Sequence, residues 1–277
     1  MIGRLAGVGA KVERAKEHIA HLKQEVDVFL KSEPYVVLAE NDEKTGDRVF
    51  RVHIVRNIPM RLSIIAGDAI HNLRASLDYL MWQLVEANGN TPDRGTEFLI
   101  AESADNFSTQ CKGKMMKMGV GATAMDLIES LNPYKGGNDG LYALHRLDIR
   151  DKHRLLLAVG ALRDRIIYGP QAIQITEVRV GGPEGPKLPF AFKPDWVAFH
   201  YAPAHTAFPL REGAEIERIA AESLNKPNVD TNPKFGFQVA FGEAGVLEGE
   251  PLVESLSKLA QVVSGILDVF AALPELK

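Results

Sequence analysis

The chain has 277 residues, of which 45% are hydrophobic and 25% are charged, and its formal net charge is −4 at neutral pH. This composition is ordinary for a globular protein of one large domain or two packed parts, and the mild negative charge argues against a broad surface for nucleic acid or anionic membrane. The single cysteine, Cys111, excludes an internal disulfide and a cysteine-rich zinc site.

The first half of the chain is predicted to be mainly helical. Helices are expected where apolar residues recur three or four positions apart, over 11–31, 61–87, 103–117, 122–131 and 141–153. The β-branched segments 35–40 and 48–55 flank a polar turn and predict a hairpin. Residues 97–100 read as a short extended piece, and 132–140 as a loop.

The second half changes character to short β-branched or aromatic segments separated by Gly/Pro turns, which are typical of an antiparallel sheet. The predicted strands are 155–160, 166–168, 173–180, 188–192, 196–201 and 235–241. An apolar stripe predicts a closing helix over 251–272. We therefore expect an α+β fold, with a mainly helical part over 1–154 and a sheet part with the C-terminal helix over 155–277.

Targeting signals are not expected. The first ten residues are too short and too rich in glycine to form a signal-peptide core. No apolar run approaches the roughly 18 residues that a membrane span needs. The sequence therefore predicts a cytoplasmic protein without a membrane partner.

The first unusual motif is H-N-L-R-A-S-L-D at 71–78, inside a predicted core helix. Beside the leucine face of that helix there is a second stripe, formed by His71, Arg74, Asp78 and Trp82. Arg74 and Asp78, four positions apart, are spaced to pair. Such a stripe is either a buried ion-pair network or the wall of a ligand or catalytic site, and the residues leave both interpretations open.

The second motif is L-H-R-L-D-I-R-D-K-H-R at 144–154. Helical spacing places Asp148 and Asp151 on the leucine side, where a carboxylate needs a cationic partner or a metal. His71 and Arg74 are the expected partners. Such a network could be structural, could tune a histidine for acid–base work, or could bind a metal through carboxylates and histidines.

Metal binding is the least supported of these interpretations. Neither H-E-x-x-H nor E-x-x-H occurs in the chain. We therefore predict no metal and no cofactor.

Segment 67–80 together with D-K-H-R at 151–154 resembles an uncharacterised group of bacterial and phage proteins, which implies no activity. Arg146 and His153 are more distantly similar to the Arg/His signature of HEPN domains, helical bundles of toxins and phage-defence ribonucleases. That resemblance implies metal-free RNA cleavage, in which Arg146 stabilises charge on the phosphodiester and His153 moves the proton of the attacking 2′-hydroxyl. Leu147 stands where the signature usually has a polar residue.

Two functional hypotheses follow. The first is a HEPN-like RNA-processing or phage-conflict protein with Arg146 and His153 as catalytic residues. The supporting residues would be His71, Arg74, Asp78, Asp148 and Asp151. The second is a non-enzymatic binding or assembly protein whose motifs form a structural ion-pair network. RNA and a second copy of the chain are the candidate partners.

Overall fold

The computed structural model describes residues 3–166, 200–201, 208–226, 229 and 231–277. The chain folds into two compact units. The first comprises Met1–Ser32, Ile58–Val159 and Val239–Lys277, and the second comprises Glu33–Asn57 and Gly160–Gln238. Helices occur together with antiparallel sheet, which confirms the predicted α+β class.

The first unit holds three helices of twenty residues or more together with four shorter ones among the described residues. They are α1 (Ala6–Lys31), α2 (Met60–Ala87), α3 (Ala104–Asn106), α4 (Lys112–Met118), α5 (Ala122–Ser130), α6 (Asp139–His153) and α7 (Leu252–Ala271). The stretch predicted as one helix near 103–117 is divided, because a π-helical turn over Phe107–Cys111 separates α3 from α4. Short 3-10 helices lie at Ala221–Ser223, in the second unit, and at Pro274–Leu276.

Helix α2 is the centre of the first unit, because it packs against α1, α6 and α7. Its predicted leucine face is fully buried, and Leu73, Leu77 and Leu80 are each 0% exposed. Pro59, in extended conformation, precedes the first helical residue, Met60. The proline ring fixes φ, which is favourable at the N-terminus of a helix. The start of α2 therefore agrees with the sequence pattern.

The predicted hairpin forms in the second unit. Strands β1 (Tyr35–Asn41) and β2 (Arg48–Ile54) pair in antiparallel register, with Tyr35 opposite Ile54. Gly46 occupies the turn with a φ of +73°, a conformation that glycine adopts without strain.

Strand β5 (Glu215–Ile219) adds to the free side of β2, although the sequence pattern did not predict it. The alternation of apolar and polar residues in β5 is hard to recognise, because three of its five residues are charged. Arg218 neutralises part of that charge, because its guanidinium pairs with Asp42, Asp47 and Glu215.

A further sheet has the order β4-β3-β6. Its strands are β3 (Ala158–Ile166), β4 (His200–Tyr201) and β6 (Lys234–Phe241). The predicted strands 173–180 and 188–192 lie outside the described residues, as do most of 166–168 and 196–201.

The boundaries of the two compact units differ from the predicted division of the chain after residue 154. That division into domains stays a prediction. Helix α7 belongs to the same unit as α1, α2 and α6 because its apolar stripe packs against all three. Among the residues that the structure describes, no helix is both long and apolar enough to cross a membrane.

Candidate functional site

The two motifs meet where α6 packs against α2, in a cluster that we call the α2–α6 seam: His71, Asp148, Asp151 and Lys152. Asp148 is 2% exposed, and a carboxylate at such a position requires compensation. His71 Nδ1 lies 3.4 Å from its Oδ1, and Lys152 Nζ lies 2.6 Å from its Oδ2. The expected cross-helix contact to His71 is therefore present, and the other side of the His71 ring faces solvent.

Arg74 does not join the seam. Its Nη1 lies 2.5 Å from Asp78 Oδ1, so the pair that the spacing predicts is formed. Its Nη2 donates to the carbonyl of Phe98 at 2.8 Å, and the Phe98 N–H donates to Asp78 Oδ1 at 2.9 Å. Arg74 and Asp78 both bond to the backbone of Phe98 and so fix the extended segment after α2. Their role is therefore structural.

Asp151 is the unbalanced member of the seam. Its carboxylate lies against Gly67 of α2, where an added Cβ would come within 2.5 Å of Oδ1. It has no hydrogen bond or ion pair within the described part of the chain. Partial burial raises its pKa, and the neighbouring carboxylates of Asp148 and Asp68 raise it further.

A further ionic contact of the second motif, between its arginines and Glu243, was not predicted, and we call it the Glu243 clamp. Glu243 is 0% exposed. Arg154 contacts both of its oxygens, with Nη2 2.6 Å from Oε2 and Nη1 3.2 Å from Oε1, and Arg150 Nη1 lies 3.2 Å from Oε2. The N–H of Leu157 also donates to Oε1 at 2.7 Å.

This clamp fastens the C-terminal end of α6 to the segment between β6 and α7. The spacing of Arg150 and Arg154, four positions apart, could have predicted a nearby anionic group, because two cations on one side of a helix need a partner of opposite charge. Glu243 itself was not recognisable, since it is an isolated glutamate more than eighty positions away in sequence.

The two residues of the HEPN-like signature lie in different surroundings. Arg146 Nη1 contacts Glu102 Oε1 at 3.1 Å, and Glu102 also accepts from Tyr142. His153 is exposed at the last turn of α6, and its ring makes no hydrogen bond within the described residues. Seven residues of helix separate the two positions by about 10 Å along the axis.

Beside Arg74 there is an open cleft with a volume of about 300 Å³, which we call the Arg74 cleft. Its lining comprises Arg74, Glu97, Phe98, Leu99, Ile100, Ala101, Glu102, Asn106, Gln110, Cys111, Lys114 and His145. His145 Nδ1 is buried there without a hydrogen-bond partner within the described residues. Burial lowers the pKa of His145, and the charge of Arg74 lowers it further, which favours a neutral imidazole.

Nucleophilic cysteine chemistry does not fit this cleft. Burial raises the pKa of the Cys111 thiol, which disfavours the reactive thiolate. No hydrogen bond joins Cys111 to the unpartnered Nδ1 of His145. Within the described residues there is also no cluster of three or more side chains that could hold a metal ion.

Comparison of the chain with protein-family models, with curated proteins and with solved structures finds no match.

We predict that Glu243→Gln lowers the free energy of unfolding by about 3 kcal/mol, because it removes the shared partner of two arginines from a fully buried position. Urea unfolding followed by circular dichroism measures this change. Glu250→Gln, at an exposed neighbouring position, is the matched control and should leave the midpoint unchanged. Equal midpoints for both variants would contradict the structural role of the clamp.

In contrast to Glu243→Gln, the substitution Asp151→Asn should raise the free energy of unfolding at neutral pH. Because the folded-state pKa of Asp151 is raised, folding free energy is lost as the pH rises from the unfolded-state pKa to the folded-state pKa, and the full cost is present above the latter. Below the unfolded-state pKa, about 4, both states are protonated and the cost is absent. Solvent screening keeps the effect small.

We expect Asp151→Asn to raise Tm at neutral pH by roughly 1–2 °C and to have no effect at low pH. Thermal unfolding across pH, with exposed Asp126→Asn as control, tests this. A clear drop in Tm at neutral pH would mean that the ionised carboxylate stabilises the fold.

Proposed function

We propose that this is a non-enzymatic binding protein, in which the motif charges maintain the fold and a small polar ligand binds in the Arg74 cleft. The observation that carries this proposal is the unpartnered His145 Nδ1 in the wall of that cleft. A buried polar atom without a partner costs about 1–3 kcal/mol. A ligand that hydrogen-bonds to it would recover that free energy.

The arginines of the two motifs bond to groups of the protein itself, which supports this interpretation. A catalytic or phosphate-binding arginine needs donors that face the substrate. Arg74, Arg150 and Arg154 instead direct donors at Asp78, at Glu243 and at backbone carbonyls. These contacts explain why cationic residues occur in core helices without requiring a reaction.

The lining of the cleft defines the ligand chemistry. Asn106 and Gln110 offer amides, while the carboxylates of Glu97 and Glu102 already pair with Lys114 and with Arg146 and can accept only further hydrogen bonds. A neutral imidazole nitrogen can accept or donate one hydrogen bond, according to its tautomer. A volume of about 300 Å³ is at the lower end for ligand sites. The best match is a compact molecule rich in hydroxyl or amino groups.

Thermal unfolding with millimolar glucose, glucosamine, arginine or putrescine tests this proposal. We expect at least one of these compounds to raise the Tm of the wild type by mass action and to shift the NMR signals of the His145 ring. His145→Phe should abolish the rise in Tm while keeping or raising basal stability, because it removes the unpaired nitrogen. Exposed His21→Phe is the control. Failure of all four compounds, or an undiminished response in His145→Phe, would contradict the proposal.

A second candidate function is metal-free RNA processing by Arg146 and His153. One specific observation favours it: the His153 ring is exposed and makes no hydrogen bond within the described residues, so it is accessible for proton transfer. Arg146 is half-buried on the same side of α6, because seven residues advance a helix by nearly two full turns. Its pairing with Glu102 would have to open for a phosphate to bind.

Cleavage of single-stranded RNA in the presence of a chelator measures this second activity. If the hypothesis is right, wild type cleaves, and His153→Ala and Arg146→Ala each lose at least a hundredfold in rate. That is the usual contribution of a general acid–base group for His153 and of a donor to the transition-state charge for Arg146. His21→Ala should retain full activity. Absence of cleavage by wild type, or equal cleavage by His153→Ala, would eliminate this function.

A further inference from the structure

We infer that a second groove, between α1 and α2, binds a nucleoside monophosphate. This groove, which we call the Trp82 groove, has a volume of about 480 Å³. It is lined by Arg4, Gly7, Val8, Asp78, Tyr79, Trp82, Gln83 and Thr96. The inference is independent of the ligand proposed for the Arg74 cleft.

Two aromatic side chains form the exposed wall of the groove. Tyr79 is 49% exposed and Trp82 is 40% exposed, although both lie on the central helix α2. They are three positions apart and therefore occupy neighbouring places on one helix face. The Trp82 ring is held in place, since its Nε1 donates to Glu86 Oε1 at 3.1 Å. A fixed aromatic face open to solvent suits a planar, stacking ligand.

Two cations beside this wall have unsatisfied bonding capacity. Among the described residues, the nearest carboxylate oxygen to Arg4 belongs to Glu86 and is 3.9 Å away, too far for a hydrogen bond. Lys11 Nζ lies 5.7 Å above the centre of the Tyr79 ring. It donates to Asn72 Oδ1 at 3.3 Å and contacts no carboxylate within the described residues.

These cations favour an anionic ligand. Two carboxylates oppose them in part. Glu86 lies 3.9 Å from Arg4, and the charge of Asp78 is balanced by its pairing with Arg74. A cationic ligand, which aromatic rings could otherwise attract, would meet both Arg4 and Lys11. A planar ring that carries a phosphate has the complementary charge, since guanidinium and phosphate form paired hydrogen bonds.

Asp78 supplies a possible contact for the edge of the base. Its Oδ1 accepts from Arg74 and from the Phe98 N–H, but its Oδ2 has no hydrogen bond within the described residues. A free carboxylate oxygen accepts from an exocyclic amino group, as an acidic side chain does from cytosine N4. Bases with an amino group should therefore bind more tightly than uracil.

A larger side chain at Gly7 would test the groove by steric blocking, without removing any side chain that lines it. A Cβ added at Gly7 meets no atom within 4 Å, so the backbone there accepts a side chain, and Gly7→Leu places an apolar group in the groove. Leucine also has a higher helix propensity than glycine, so the variant should keep or raise Tm. Gly113→Leu is the matched control, because an added Cβ on that other helix likewise meets nothing within 4 Å.

Isothermal titration calorimetry with AMP, UMP, adenosine and ribose 5-phosphate tests the inference. We expect saturable binding of AMP, with at least tenfold weaker binding of each of the other three compounds. Gly7→Leu and Arg4→Gln should each weaken AMP binding at least tenfold. Gly113→Leu should bind normally, and so should His145→Phe, which separates this groove from the Arg74 cleft.

Several results would overturn the inference. AMP could fail to bind at millimolar concentration, could bind equally well to Gly7→Leu, or could bind no better than adenosine. Sedimentation of the same samples identifies a different occupant: a dimer that Gly7→Leu dissociates would assign the groove to a second copy of the chain instead.

Discussion

The architecture of the first unit depends on one buried carboxylate. Glu243 is 0% exposed and receives hydrogen bonds from Arg150 of α6, from Arg154 directly after that helix and from a backbone N–H. A charge at that depth is tolerable only because its partners and geometry are complete. It connects the end of α6, which carries the second motif, to the chain that leads into α7. Removing a partner would leave a buried charge and loosen the join between sequence-distant parts.

The same physical constraint explains the rest of the motif chemistry. Asp148 is buried and is matched by His71 and Lys152, and Arg74 is buried and is matched by Asp78 and the Phe98 carbonyl. Charges in these helices are thus mostly compensated within the fold. Several polar atoms that keep bonding capacity, such as His145 Nδ1, lie next to open clefts, and these atoms carry the two ligand proposals.

Sequence periodicity predicted the helices well because their stability comes from continuous apolar stripes, and α2 and α7 agree with prediction to within a residue or two. The Arg74–Asp78 pair was predictable because it is local. Glu243 and His145 were not, since their importance arises from long-range packing that periodicity does not encode. Strand β5 was missed for a related reason: its charged side chains are compensated by residues that are distant in sequence.

The most direct test of this account is a double-mutant cycle on Arg154→Met and Glu243→Met, with the free energy of unfolding measured for all four proteins. If the clamp is a structural ion pair, each single variant is destabilised, and the double variant is more stable than the sum predicts, with a coupling energy of about 1–3 kcal/mol. Additive effects, with a coupling energy near zero, would show that the contact does not hold the fold. The charges of the second motif would then require a functional explanation.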